Sequence, residues 1–147
     1  MTFRLVLRTV SSLGVQELFD RSLSIDEHTA SMAESAETAI AGVRQGQIGW
    51  GESVTWRARH FGVWLTMTSK ITELEAPWRF VDEQQRGPFK RFRHEHRFTE
   101  TAEGTLMTDA LVVTAPLGPL GWLAERIFLE RYLHRLIDER NRYLVRR

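Results

Sequence analysis

The sequence predicts an α+β domain: a curved antiparallel sheet of about seven strands, in the order β-α-α-β6-α, wrapped around one long C-terminal helix. Three observations predict it. From Glu37 to Ala115 apolar residues recur with a period of two, the period of strands. Glycine-bearing turn signals divide that run into consecutive strands joined by short reversals, a meander. From about Leu120 to Val145 the apolar residues fall at helical spacing. That segment is the only one large enough to cover the sheet's apolar face.

The elements follow in order. Thr2–Val10 alternates weakly and is rich in β-formers, which predicts a strand; Ser11, Ser12 and Gly14 break it. Val15–Arg21 reads as a short helix, and a second starts near Ser24 with Ile25, His28 and Met32 at helical spacing. Thr38–Val43 is a strand ended by the turn signal Gln45-Gly46. Ile48–His60 reads as one long strand with Ile48, Trp50, Val54, Trp56 and Ala58 on a single face. Gly62 reverses the chain into Val63–Leu74, where Leu65, Met67 and Ile71 share a face. After Pro77 comes a strand presenting Trp78, Phe80 and Asp82 together. Gly87-Pro88 leads into Lys90–Phe98, and Glu103-Gly104 into Thr105–Ala115. In the final helix Leu129, Tyr132, Leu133, Leu136, Ile137, Tyr143 and Leu144 form the stripe, opposite Arg131, Arg135, Asp138 and Arg142. Its first turns, with Leu120, Trp122, Leu123, Ile127 and Phe128, are apolar more widely, which predicts burial on more than one side.

Residues 1–147 read as a single domain, long enough to bury a core. The formal net charge of +1 gives no reason to expect nucleic-acid binding. Absence of cysteine excludes disulfides, thiolate ligands and a cysteine nucleophile. No apolar run approaches the roughly 18 residues of a membrane span, and the N-terminus lacks a signal-like apolar segment. The expected compartment is the cytoplasm, with the chain a monomer or homodimer and no cofactor. Five tryptophans and eight phenylalanines provide abundant aromatic surface for a large apolar interior and cavity wall.

The strings GESVTWRARHFG (51–62), FVDEQQRGPFKRFRHEHRF (80–98), Met107-Thr108-Asp109 and PLGPLG before the last helix resemble the helix-grip superfamily of START and Bet v 1-like proteins. Within it, the resemblance is to the polyketide cyclase/dehydrase-like SRPBCC ligand-binding proteins of bacteria, and it covers nearly the whole chain. It implies a cavity between sheet and helix and a polyketide-, lipid- or isoprenoid-like ligand. Plant members carry a glycine-rich loop where this chain reads RQGQIGWGE, so phosphate cradling there is not expected.

Strand parity selects the residues that face such a cavity. In Lys90–Phe98 the residues Phe92, His94, His96 and Phe98 share one face, and Arg91, Arg93, Glu95 and Arg97 the other. Burying three arginines and a glutamate costs far more than burying two imidazoles between phenyl rings, so the histidines should point inward. Glu52 and His60 run in phase with Trp50, Val54 and Trp56; Asp82 with Phe80; and Asp109 with Met107 and Leu111. The expected lining is therefore Trp50, Glu52, Val54, Trp56, His60, Leu65, Met67, Phe80, Asp82, Phe92, His94, His96, Met107, Asp109 and Leu111, with Trp122 and Leu129 from the helix.

Three readings of the inward polar groups stand side by side. They satisfy one another and fix register. They anchor a polar group of an otherwise apolar ligand. Or they do chemistry, with His94, His96, His60 or Asp109 as general acid or base in a cyclisation or dehydration. A His-x-His strand with a carboxylate also has metal-ligand chemistry, but no metal is expected. A protein-interaction module of the same fold is a further class, and it predicts a filled core. Access to the cavity is expected near Gly118–Phe128 and the turns at Gly62 and Gly87. Arg57, Arg59, Arg91, Arg93, Arg97, Lys70 and Lys90 read as a solvated outer face interleaved with acids.

Overall fold

The computed structural model describes residues 2–115 and 122–146, with side chains of the second segment described from residue 126. The side chain of the predicted cavity residue Trp122 and residues 118–121 of the predicted access segment Gly118–Phe128 lie outside what is described. The order is β1 (Thr2–Ser11), α1 (Val15–Ser22), α2 (Ile25–Ser31), a 3-10 turn (Ala33–Ser35), β2 (Thr38–Gly42), β3 (Ser53–His60), β4 (Val63–Glu75), β5 (Arg79–Arg86), β6 (Arg91–Thr101), β7 (Gly104–Thr114) and α3 (Trp122–Leu144). The seven strands form one antiparallel sheet in the order β1-β7-β6-β5-β4-β3-β2. This is the expected helix-bearing meander, with the first strand folded back beside the last.

Local chemistry explains the boundaries. Ser24 caps α2 by accepting from the Glu27 amide at 3.2 Å, relieving an amide that the first turn leaves unpaired. The β3–β4 hairpin turns on Phe61 and Gly62, both at positive φ (53° and 74°), the pair a two-residue reversal of this hand requires. Gly104 starts β7 at φ 150°, where a β-carbon would stand 2.2 Å from the Ser11 carbonyl oxygen. Only glycine lets β7 approach the end of β1 so closely.

Two predicted boundaries shift, and both shifts move tryptophans. Ile48–His60 is not one strand. Gly49–Glu52 forms a turn in which the Glu52 amide bonds the Gly49 carbonyl at 3.1 Å and Gly51 takes φ 76°. The period-two phase breaks there, so Trp50 is 72% exposed. Trp78 precedes β5 and is also exposed, as is Trp64 on the outer face, where Arg57 stacks on it at 4.3 Å. Among the described tryptophans only Trp56 is buried.

The core divides into two clusters. One gathers Leu18 and Phe19 of α1 against Phe80, Phe98, Met107 and Leu144, with Phe19 edge-on to Phe80 and Phe98 at 5.8 and 5.4 Å. The other sets Leu133 and Ile137 of α3 on Phe3, Leu7, Phe92, Leu111 and Val113. The C-terminal end of α3 is the seated end: Arg140, Asn141 and Leu144 are buried, and Arg21 donates to the Leu144 carbonyl at 3.2 Å and to that of Arg146. Toward its start, Ile127 and Phe128 are 45% and 55% exposed, against the expectation that this end is buried on several sides. The Phe128 ring borders an opening rather than a second layer. On the outer face Arg93 and Arg97 pair with Glu73 and Glu95, and Arg79 joins the same network.

Candidate functional site

A cavity of about 430 Å³ lies between the sheet and α3, within the range of small-molecule sites. Val54, Trp56, Leu65, Met67, Ile71, Phe80 and Phe92 line it from the sheet, and Leu129, Leu133, Leu136 and Ile137 from the helix. Phe61, Pro88, Phe89 and Phe128 contribute from the hairpin turns and the helix start. Phe61 packs on Tyr132 at 4.4 Å and on Phe128 at 5.0 Å, so an exposed aromatic group stands at this mouth.

Of the residues predicted from parity, Val54, Trp56, His60, Leu65, Met67, Phe80, Asp82, Phe92, His94, His96 and Leu129 border this space. Trp50 and Glu52 do not. The turn at Gly49–Glu52 takes both out of phase, and the Glu52 carboxylate instead accepts from the Gly49 amide at 2.8 Å. Met107, Asp109 and Leu111 have the inward orientation expected but are not on the wall. They sit on β7, next to the edge strand, where core side chains and α3 cover them completely.

His94 and His96 are 5% and 3% exposed, and their rings stack at 3.7 Å, continued by Phe80 at 4.1 Å from His96. Cross-strand register puts Asp82 opposite His94, and Asp109 opposite His96. The hydrogen bonds run diagonally: His94 Nε2 donates to Asp109 Oδ1 and His96 Nε2 to Asp82 Oδ2, each at 2.6 Å. Arg140 of α3 closes the cluster, donating from Nη1 to Asp109 at 3.3 Å and from Nη2 to His96 Nδ1 at 3.4 Å. Asn141 donates to the second Asp109 oxygen at 2.6 Å and to Thr9 at 3.1 Å. Asp109 is thus the hub that ties β6, β7 and α3 together.

The electrostatics follow. Burial pushes the His94 imidazole down to about 4; the neighbouring His96 adds to this, and the Asp109 bond opposes it. Burial alone would raise Asp109, but the hydrogen bond from His94, the adjacent His96 and the Arg140 charge outweigh it and hold the carboxyl well below its ordinary value. Asp82 is likewise held low against its burial, chiefly by His96. At neutral pH the wall therefore presents an unprotonated His94 whose Nε2–H is engaged and whose Nδ1 has no partner among the described residues.

Asp82, His94 and His96 are the one group of three among the described residues with donor atoms mutually within 4.8 Å, as a metal ion would need. Their geometry favours hydrogen bonding. Nearly parallel rings, 22° apart, direct their in-plane lone pairs alongside one another rather than at a common point. Both Nε2 atoms already face carboxylates, and a guanidinium occupies the flank.

A second polar group stands nearer the mouth. His60 Nδ1 bonds the Tyr132 hydroxyl at 2.5 Å. Burial lowers the His60 imidazole, with Glu37 opposing, and burial raises Tyr132, so both are uncharged at neutral pH; of the two, the phenol O–H is the stronger donor and the imidazole nitrogen the stronger acceptor, which directs the bond from Tyr132 to His60. Glu37 lies 3.4 Å from His28 Nε2, and the His28 ring packs on Trp56 at 4.3 Å. Sequence reasoning missed His28, Glu37 and Arg140 as wall residues. Arg140 had a signal: it lies seven residues after Leu133 on the same face of the helix. Glu37 had none, since it stands where the helical period has ended and the strand period has not begun.

No protein-family model matches the chain, and no curated protein matches it. Solved structures do. The Zhui aromatase/cyclase from Streptomyces sp. R1128 superposes with a TM-score of 0.79 at 11% identity, covering 99% of this chain and 92% of that one. This is the helix-grip fold. One half of the di-domain aromatase/cyclase StfQ from the steffimycin biosynthetic pathway matches at 0.77 and 15% identity; the match covers 98% of this chain and 50% of that one. The major latex-like protein 151 of Panax ginseng matches at 0.65 and 12% identity, over 99% of both chains. The helix-grip chain described here therefore shares its architecture with Bet v 1-like proteins and with aromatase/cyclases, as the sequence motifs implied. Among its described residues no helix is long and apolar enough to cross a membrane.

Proposed function

We propose that the chain binds a small hydrophobic or amphipathic molecule, polyketide- or isoprenoid-like in character, in the space between sheet and α3. The observation that carries this is the cavity itself: about 430 Å³ of apolar volume left unfilled, with convergent polar groups on its wall. Ligand carbon buried there gains about 25 cal/mol per Å². Asp82, His94 and Arg140 orient whatever oxygen the ligand carries. The interaction-module reading required a filled core and has no comparable support. The test is titration with a neutral solvatochromic dye such as Nile red, comparing wild type with Leu136→Trp. Saturable binding to wild type that the indole abolishes supports the reading; equal binding to both rejects the cavity as the site.

A second reading draws on one specific feature. His94 is unprotonated at neutral pH, is oriented by a buried carboxylate, and has a free Nδ1 on the wall. That is the arrangement of a general base, able to take a proton from a carbon between two carbonyls while Arg140 steadies the enolate. Similarity to aromatase/cyclases supports a poly-keto substrate for such a step. His94→Gln separates the readings: turnover lost with dye affinity kept supports catalysis, and turnover unchanged rejects it.

A further inference from the structure

The polar group near the mouth carries an inference that rests on the ligand-binding reading and narrows it. Glu37 is nine-tenths buried, with 10% of its side chain exposed, and belongs to the cavity wall. Its Oε1 faces His28, but Oε2 is buried with no hydrogen-bond partner among the described residues. An orphaned buried acceptor costs free energy until a donor reaches it. His60 has the opposite need. Its Nδ1 accepts from the Tyr132 hydroxyl, so the proton of the neutral ring is on Nε2, and that N–H has no partner among the described residues.

We propose that Glu37 and His60 form a subsite for a ligand hydroxyl, so that the occupant is a neutral hydroxylated apolar molecule rather than a fatty acid. A hydroxyl donates to Glu37 and accepts from His60 Nε2–H with one group. An ammonium would satisfy Glu37 but turn positive charge toward an N–H donor. A methyl group would leave both unpaired, and a carboxylate would be repelled. The far end of the cavity gives the same answer. There Asp82 stands on the wall bonded to His96, and the one guanidinium, Arg140, already donates to the buried Asp109 behind it, so no surplus positive charge waits for an acidic headgroup. The helix measures the separation. Tyr132 and Arg140 are eight residues apart on α3, about 12 Å of rise, with Leu133, Leu136 and Ile137 between. The ligand is thus oxygenated at both ends and apolar across that span.

The experiment is calorimetric titration of the full chain with rigid biphenyls: 4,4′-dihydroxybiphenyl, 4,4′-dimethoxybiphenyl and 4′-hydroxybiphenyl-4-carboxylate. Wild type should prefer the diol over the dimethoxy compound by about tenfold or more, the worth of a charge-assisted hydrogen bond. It should bind the carboxylate at least tenfold more weakly than the diol. In Glu37→Leu the diol preference should fall by about tenfold while dimethoxybiphenyl binds as well or better. Glu37→Gln, which keeps the shape, should lose part of the preference and guards against misfolding of the leucine variant. An unchanged preference in both variants overturns the subsite, as does tighter binding of the carboxylate. If dimethoxybiphenyl binds but the diol gains nothing in wild type, this inference fails alone. If no member binds, the ligand-binding reading fails and takes the inference with it.

Discussion

Asp109→Asn is the sharpest perturbation of the helix–sheet junction. The carboxylate accepts from His94, Asn141 and Arg140 with its side chain fully buried, and the Arg140 side chain is only 4% exposed. Asparagine keeps the shape and one acceptor but puts an amino group against one of the donors, which costs about 1–3 kcal/mol. It also removes the counter-charge of a buried guanidinium, and breaking such a pair by one partner costs about 3–5 kcal/mol. These terms overlap, so the expected loss is about 4 kcal/mol, or about 12 °C in Tm for a chain of this length. Urea unfolding at pH 7, followed by circular dichroism, measures it. The double variant Asp109→Asn/Arg140→Met should recover about 2 kcal/mol, because it removes the stranded charge as well. A loss below about 1 kcal/mol, or losses that simply add in the double variant, would refute the claim that Asp109 holds Arg140 in place.

Three further outcomes are expected. His94 binds its proton near pH 4 when folded and near 6.5 when unfolded, so the unfolded state takes up protons first on acidification. Stability should therefore fall by about 3 kcal/mol between pH 6.5 and 4, and His94→Gln should flatten that window in urea midpoints. Asp82 and Asp109, held low in the fold, contribute stability that is full above the unfolded carboxyl range and is lost only as pH drops below about 4; the Asp82 share of that lower limb, held chiefly by His96, should survive in His94→Gln. Gly104→Ala should lower stability by about 2 kcal/mol or more, since its β-carbon meets the Ser11 carbonyl; an unchanged thermal midpoint would contradict the β1–β7 register. Leu136→Trp should block the cavity while changing stability by no more than about 1 kcal/mol, because the indole enters existing space rather than a packed core.

The fold was legible because each strand has one face that cannot be wet and one that cannot be buried. Arg91, Arg93, Glu95 and Arg97 alternate with Phe92, His94, His96 and Phe98, so parity alone turns the histidines inward, where both are buried. Parity failed where the backbone left the strand, since the four-residue turn before Ser53 reset the phase that had tied Trp50 and Glu52 to Val54. It could not separate lining from core either. Asp109 and His96 are cross-strand partners facing the same way, yet only His96 reaches the cavity, because helix coverage differs from one strand to the next. Arg140 was hidden for a different reason: a charged residue in an apolar stripe looks like solvent until its buried carboxylate partner is known. Five residues were needed to see that cluster, and they come from four elements, β5, β6, β7 and α3.

The most direct test of the occupied hollow is native mass spectrometry of the chain purified from its own host, with the Leu136→Trp variant prepared alongside. A neutral molecule retained by the wild-type protein and missing from the variant is the predicted result. A bare chain that also fails to take up Nile red or any of the biphenyls would contradict it.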